Sequence, residues 1–422
     1  METSTAPSHA RFTGLWRHPD FLKLWAGQTI SLFGTLVGNL SLTFVAIIFL
    51  DATPIQVALL NAAKLAPGLV VGLFAGVWVD RLRRRPVMIV VDIGRAITLG
   101  TIPLLAAVHH LTIGLLYVIV LIVSVLTVFF DVAYRSYLPS LVRREELVEG
   151  NSKLQASASV SEFSGFGVAG VLVQLLSAPG AIAIDAVSFL VSAFSLATIR
   201  HEEPRAVSPA EQPGTWREIG EGLRLVRDSP LFRTLAGVTG AWYLFRSILG
   251  AVIMLFITRE LGVSPALQGV IYSVGGVSSF FGAVLAERVT RRWGVGPTMF
   301  WMLLLTVVSC VFVPLASGPL AIVVILLVLQ QIFGDGAATL YEIDQVSLLQ
   351  ASTPGRLLGR MNASIRFIEW STMLVGLLVG GVLGELIGLR PTLFVAVGGQ
   401  LLAPLWLALS PVRHLREHPG HS

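Results

Sequence analysis

Charge is scarce in this chain of 422 residues: Asp, Glu, Lys and Arg make up 13% of it, about half the share of an ordinary globular domain. Hydrophobic residues supply 54% and fall into runs of roughly 20, the length that a hydrocarbon core ~30 Å thick demands of a helix. A soluble protein is thereby excluded. The one cysteine, Cys310, sits inside such a run, so neither an intrachain disulfide nor a cysteine-rich metal site can form. No glycine-rich loop ending in Gly-Lys-Ser/Thr is present, which argues against ATP hydrolysis. The eight histidines, His9, His18, His109, His110, His201, His414, His418 and His421, lie in loops or tails, and none stands with acids at zinc-ligand spacing inside a run. Neither an enzyme nor a resident metal or cofactor is expected. Met1 to Asp20 lacks a short apolar segment with a small-residue cleavage site, so no removable signal peptide is expected and the first run serves as targeting signal.

What is present is a series of twelve predicted spans, at 21–49, 55–79, 87–108, 112–134, 154–177, 180–199, 232–257, 266–286, 297–316, 319–345, 363–384 and 391–410. An even number puts both termini on one side. All of the 30 basic residues but five flank the spans on that side or lie in its loops; Arg259 and Arg390 take the other side, and Lys64, Arg95 and Arg246 lie within spans. Basic residues are retained in the cytoplasm, so both termini are expected there. The net charge of +5 belongs to these flanking arginines and not to a soluble basic face, so nucleic acid is not an expected partner. The predicted organisation is an N-terminal arm (1–20), a six-span bundle (21–199), a cytoplasmic linker (200–230), a second six-span bundle (231–410) and a tail (411–422). Within the linker, Trp216, Ile219, Leu223 and Val226 recur at helical spacing opposite charges, the pattern of an amphipathic helix lying on a membrane surface.

The halves read as copies. Asp80-Arg81-Leu82-Arg83-Arg84-Arg85 after span two matches Glu287-Arg288-Val289-Thr290-Arg291-Arg292 after span eight, and Leu138 to Asn151 matches Leu349 to Asn362 at nearly the same offset. The latter offset also sets Asp131 opposite Glu342. Repeats of six keep their orientation, so an axis along the membrane normal relates them and a cavity can lie between them.

The stretch Gly76-Val77-Trp78-Val79-Asp80-Arg81-Leu82-Arg83-Arg84-Arg85 resembles the signature Gly-x-Leu-Ala-Asp-Arg-x-Gly-Arg-Lys of the major facilitator superfamily, with Arg83 where glycine is usual. Leu24 to Ser31, Phe130-Asp131 through Leu147, Asp185 to Leu190 and Gly359-Arg360-Met361-Asn362 look like the bacterial branch of enterobactin exporters and macrolide-efflux proteins. The resemblance implies an all-α membrane protein of twelve helices in two six-helix pseudo-repeats. It departs from that branch at Gly34-Thr35, where an acid often follows the glycine, and at Ser161-x-x-x-Gly165-Phe166-x-x-Ala169-Gly170, which keeps the small residues of the antiporter span-five motif without its proline. Span eleven carries Gly376-x-x-x-Gly380-Gly381. The family implies a gating role for Gly76, Asp80, Arg81, Arg84 and Arg85, with Asp80 capping the start of span eleven, and the repeat extends that role to Glu287 and Arg288.

Ionisable groups within a bilayer are functional candidates by default. Asp92 and Arg95, three apart on span three, are expected to form a structural ion pair. Asp131, Arg135, Glu342 and Asp344, near the ends of spans four and ten, are expected in a conformational switch network. Lys64, Glu162, Arg246, Asp335 and Glu369 lie deeper, on spans that line the cavity in the superfamily fold, whereas Asp185 on span six is not expected there. A carboxylate in a partly dry cavity can load and release a proton as access alternates, which makes Glu162, Asp335 and Glu369 proton carriers, or fixed partners of Lys64 and Arg246. Trp242, Tyr243 and Phe245 flank Arg246 and Trp370 follows Glu369, so aromatic faces suit an amphipathic or cationic organic molecule, or else simply pack. Asn39 and Asn61 bind substrate or bridge helices. The function expected is proton-coupled efflux of a hydrophobic or amphipathic small molecule, drug or siderophore-like, by a monomer in the bacterial inner membrane. An importer or uncoupled facilitator of a small organic solute is the alternative.

Overall fold

The computed structural model describes residues 14–79, 82–201, 203, 220, 224 and 226–416, which are helical apart from short connections. Among the described residues the α-helices follow in the order α1 Pro19–Phe44, α2 Pro54–Val70, α3 Gly72–Val79, α4 Arg84–Ala107, α5 Ile113–Leu141, α6 Leu147–Leu176, α7 Ala178–Thr198, α8 Pro230–Arg259, α9 Pro265–Trp293, α10 Val295–Cys310, α11 Phe312–Leu315, α12 Leu320–Ser352, α13 Leu358–Leu386, α14 Leu389–Gln400 and α15 Leu402–Leu409. Among the described residues ten helices are long and apolar enough to cross a membrane, or eleven when the two arms of α6, bent by 41° between Glu162 and Ser164, count as one span. The second predicted span is divided at Val71 into α2 and α3, with Pro67 in the last turn of α2.

Local chemistry starts these helices where the sequence changes character. Proline stands in the first turn of α1, α2, α8 and α9, where its missing N–H costs no hydrogen bond. His18 Nδ1 accepts from Phe21 N at 3.1 Å and Ser264 Oγ from Leu267 N at 3.4 Å, covering donors that a helix start leaves open. Several helices outrun the apolar runs. The break expected after span eight is helical, because α9 continues to Trp293 and ends only at Gly294 with φ of 90°, a conformation that favours glycine; Glu287 and Arg288 therefore lie on a helix and not in a loop.

Packing follows the repeat. In the N-terminal half α7 packs against α1 and α4, and α5 against α4; in the C-terminal half α8 packs against α13 and α14, and α12 against α9 and α10. The halves meet through α6 with α9 and α2 with α13, which are equivalent pairs in the duplicated sequence. Two hydrophobic cores belong to each half, and among their buried members only Leu255 and Ala58 cross over. The contacts between halves concentrate at the end away from residues 14 and 416. There a Cβ on Gly269 would lie 2.5 Å from Phe166 O and 3.0 Å from Gly170 Cα, and one on Gly384 would lie 2.9 Å from Pro54 Cβ. Arg259 Nη2 donates to Asp51 Oδ1 at 2.6 Å and to Ile47 O at 3.0 Å, and Ala266 N donates to Gln174 Oε1 at 3.3 Å. At the other end Trp78 on α3 and Phe280, Phe281 and Val284 on α9 are exposed.

Candidate functional site

Of the charged, amide and aromatic residues expected deep in the membrane, Asn39, Glu162 and Arg246 are exposed, while Lys64, Asn61, Tyr243, Asp335, Glu342, Glu369 and Trp370 are half-buried. The C-terminal half supplies most of the charge. Arg246 on α8 is the cation acting on both Asp335 and Glu342 of α12. Glu342 in turn acts on Asp335 and on Glu369 of α13, which also has Arg366 one turn away. Tyr243 faces Glu342, Glu369 and Arg246, and Tyr272 of α9 faces Asp335. Among the described residues Arg246 closes no ion pair at contact distance; its guanidinium lies 5.7 Å from the Trp242 ring centroid. Asp335 fits where it does because Gly275 of α9 has no side chain, its carboxylate lying against that glycine's backbone. Three carboxylates, two guanidiniums and two phenols from α8, α9, α12 and α13 thus share one wall. Such a wall can exchange protons and hydrogen bonds with the contents of the cavity.

The facing half offers less. Lys64 Nζ donates to Asn39 O at 3.3 Å and Thr43 Oγ1 at 3.4 Å, so a backbone carbonyl and a hydroxyl of α1, and not a carboxylate, hold the ammonium. Glu162 stands at the bend of α6 without an ion pair among the described residues. The Trp370 ring lies directly on the backbone of Gly68, which bridges α13 to α2.

Other residues singled out from the sequence lie elsewhere. Trp242 is a correction: it is 1% exposed in the core of the C-terminal half, 6.5 Å from the Tyr341 ring, and lines no cavity. Glu342, expected with the switch residues, belongs by its neighbours to the deeper wall. Asp344 is buried, and both its carboxylate oxygens accept from Thr290 Oγ1 at 2.9 Å, joining α12 to α9. Asp131 and Arg135 are exposed on α5, with Arg95 and Arg135 the cations nearest Asp131. Asp80 and Arg81 and nearly all of the linker helix lie outside the described residues; Gly76 falls within α3. Arg84 and Arg85 begin α4, where a residue the sequence did not flag holds them. The Glu203 carboxylate, almost fully buried, accepts from Arg84 N at 3.0 Å and Arg85 N at 3.2 Å, while Arg85 donates to Leu196 O and Ala197 O. An acid at a helix N-terminus and a guanidinium at a helix C-terminus are each favoured by the aligned peptide dipoles. Only a contact more than one hundred residues away in sequence makes Glu203 part of this end of the molecule.

The family model of the Major Facilitator Superfamily matches residues 24–368. The chain belongs to that superfamily. It is similar to the uncharacterized MFS-type transporter YfiS of Bacillus subtilis, 27% identical over 92% of this chain and 91% of that one, and to the multidrug efflux pump Tap of Mycolicibacterium fortuitum, 26% identical over 92% and 95%. The macrolide efflux protein A of Streptococcus pyogenes is 27% identical over 53% of this chain and 55% of its own. Among solved structures, a bacterial homologue of the iron transporter ferroportin shares the fold at 18% identity, covering 94% of this chain and 99% of that one, with a TM-score of 0.72 in its inward-facing state. The same homologue in its outward-facing state gives 0.54 over 92% and 98%. The protein is a multi-pass membrane transporter of a small-molecule substrate.

Proposed function

We propose that this transporter exports hydrophobic or amphipathic small molecules in exchange for protons, by alternating access, from the cytoplasmic side of a bacterial inner membrane. The observation that carries the reading is the wall of Asp335, Glu342 and Glu369 around an Arg246 that closes no ion pair among the described residues. Carboxylates beside one guanidinium can trade a proton for an organic cation without leaving a buried charge uncompensated. The efflux activity named for two of the relatives supports the direction. With both termini cytoplasmic, as the arginine distribution requires, the end closed by Gly269, Gly384 and Arg259 is the outer one and the protein stands open to the cytoplasm. In the opposite state Gly76, Asp80 and Arg81, with Glu287 and Arg288 of the other half, close the inner end while Asp131 and Arg135 re-pair.

The test is accumulation of a lipophilic cationic dye in inverted vesicles under an imposed pH gradient. Gradient-driven uptake is expected, with Asp335→Asn or Glu369→Gln reducing it by at least about tenfold, the scale of coupling between linked sites. Uptake that ignores the gradient in every variant would replace the exchanger with an uncoupled facilitator.

A further inference from the structure

A second group of charges lies in the core of the N-terminal half, away from the wall just described. Asp92 and Arg95 of α4 are 0% and 3% exposed and pair with each other, and Asp185 of α7 is 3% exposed. The Arg95 guanidinium is sandwiched between the rings of Phe130 and Phe189, at 4.2 Å and 4.1 Å. With both faces covered, it meets acids only at its edge, and Asp92 takes that edge. Asp92 Oδ2 and Arg95 Nε are buried without a hydrogen-bond partner. The Asp185 carboxylate fills a gap in α1. Gly34 and Gly38, one turn apart, lie against it and Ser188, and a Cβ on Gly38 would collide with the carboxylate. Its own side-chain hydrogen bond comes from Ser188 Oγ at 3.4 Å.

The charges facing Asp185 can be named element by element. From α4 comes Arg95, the cation that acts on Asp185 and pairs with Asp92; Arg95 acts also on Asp131 of α5, as does Arg135. From α1 come only the two glycines, since Asp20 and Lys23 are engaged with each other and with Thr198 O, Arg200 N and His201 N; α6 presents buried Ser161 on this side. Two buried carboxylates therefore face one guanidinium, and that guanidinium is already paired. A second ionised acid in so dry a place lacks compensation, and acids that share a site share a proton.

We propose that Asp92, Arg95 and Asp185 form a proton-binding site in which Asp185 holds the proton, with the exposed Asp131 relaying it to the cavity. Substrate then trades places with protons on the C-terminal wall while a further proton resides in the N-terminal half, and the two sites communicate through the movement of one half against the other. The role in transport rests on the proton-exchange reading; the existence of the site does not.

The experiment is infrared spectroscopy of the full-length protein in vesicles of defined phospholipid, titrated from acid to alkaline pH, with dye transport measured in parallel. A carbonyl stretch of a protonated carboxylic acid is expected in the wild type near neutral pH and is absent from Asp185→Asn. That variant, which mimics the protonated acid, is expected to melt as the wild type does and to exchange dye at equilibrium. Its gradient-driven accumulation falls about tenfold or more. Asp92→Asn frees Arg95 to pair with Asp185, so the band is lost there too at the same pH; this variant decides the matter if Asp185→Asn does not fold. Identical acid bands in the wild type and in both variants would overturn the proposal, as would a band in Asp92→Asn equal to the wild type's. A band that behaves as expected in a protein whose transport ignores pH would leave the site standing and remove the exchanger reading.

Discussion

Arg95 of the N-terminal half and Arg246 of the C-terminal half both lie within membrane-spanning helices, and the two are used in opposite ways. Arg95 is buried, paired with Asp92 and held between Phe130 and Phe189. Arg246 is exposed, over one indole ring at 5.7 Å from its centroid, with no acid at contact distance among the described residues. A guanidinium whose hydrogen-bonding edge and ring-stacking faces are satisfied inside the protein is fixed, because removing it strands a buried charge. One left facing a hydrated cavity can change partners at small cost. A duplicated fold has thus kept the architecture and divided the work, with the N-terminal arginine built into a core and the C-terminal one left accessible.

The comparison breaks most sharply if both arginines are replaced by methionine. Arg95→Met is expected to destabilise the protein by about 3–5 kcal/mol, the cost of an unpaired buried acid, and Arg246→Met by less than about 1 kcal/mol; thermal unfolding in detergent reads both. Equal losses would mean that Arg246 is as structural as Arg95. Next in size is the closed end. Gly269→Val drives a side chain into Phe166 O and Gly170, an overpacking of about 1–3 kcal/mol that favours separation of the halves there. Spin-label distances across α6 and α9 should lengthen, whereas Gly100→Ala, with open space around it, should leave them unchanged. Asp51→Asn removes the ion pair with Arg259, whose acid is almost wholly exposed. A shift below about 1 kcal/mol toward the same opening is expected, vanishing at high salt.

The smallest effect belongs to Glu146, just before α6. Arg143 donates to it through its backbone N at 3.1 Å and Nη2 at 2.7 Å and holds its carboxyl below the ordinary glutamate range. A lowered carboxylate stabilises the fold above its unfolded-state value and loses that contribution as pH falls through the folded one. Glu146→Gln should therefore match the wild type in acid and melt slightly lower at neutral pH.

Much of the architecture was legible before any coordinates. Apolar run length and the paired motifs at Asp80 and Glu287 gave the helices and their twofold repetition, since each depends on residues near in sequence. Helix breaks were less legible. The split at Val71, the bend beyond Glu162 and the continuation of α9 through Glu287 do not show in the lengths of the apolar runs. The carboxylate candidates Asp335 and Glu369 could be nominated from their depth in apolar runs, but that Glu342 joins them at Arg246 could not. Trp242 carried the same aromatic signal as Tyr243; the turn of α8 sends one into the core and the other toward the acids.

By itself the sequence determined a membrane-embedded, all-helical, duplicated chain with an arginine-rich side, because hydrophobic run length and charge placement are properties of a segment in its solvent. Only the tertiary structure decided which charges are satisfied. Asp185 fills a gap left by two glycines of another helix with Arg95 the cation acting on it, Glu203 caps α4 from beyond α7, and Arg246 keeps its acids at a distance. Electrostatic energy in a low-dielectric interior depends on separations of a few ångströms between residues far apart in sequence, and the fold alone sets those separations.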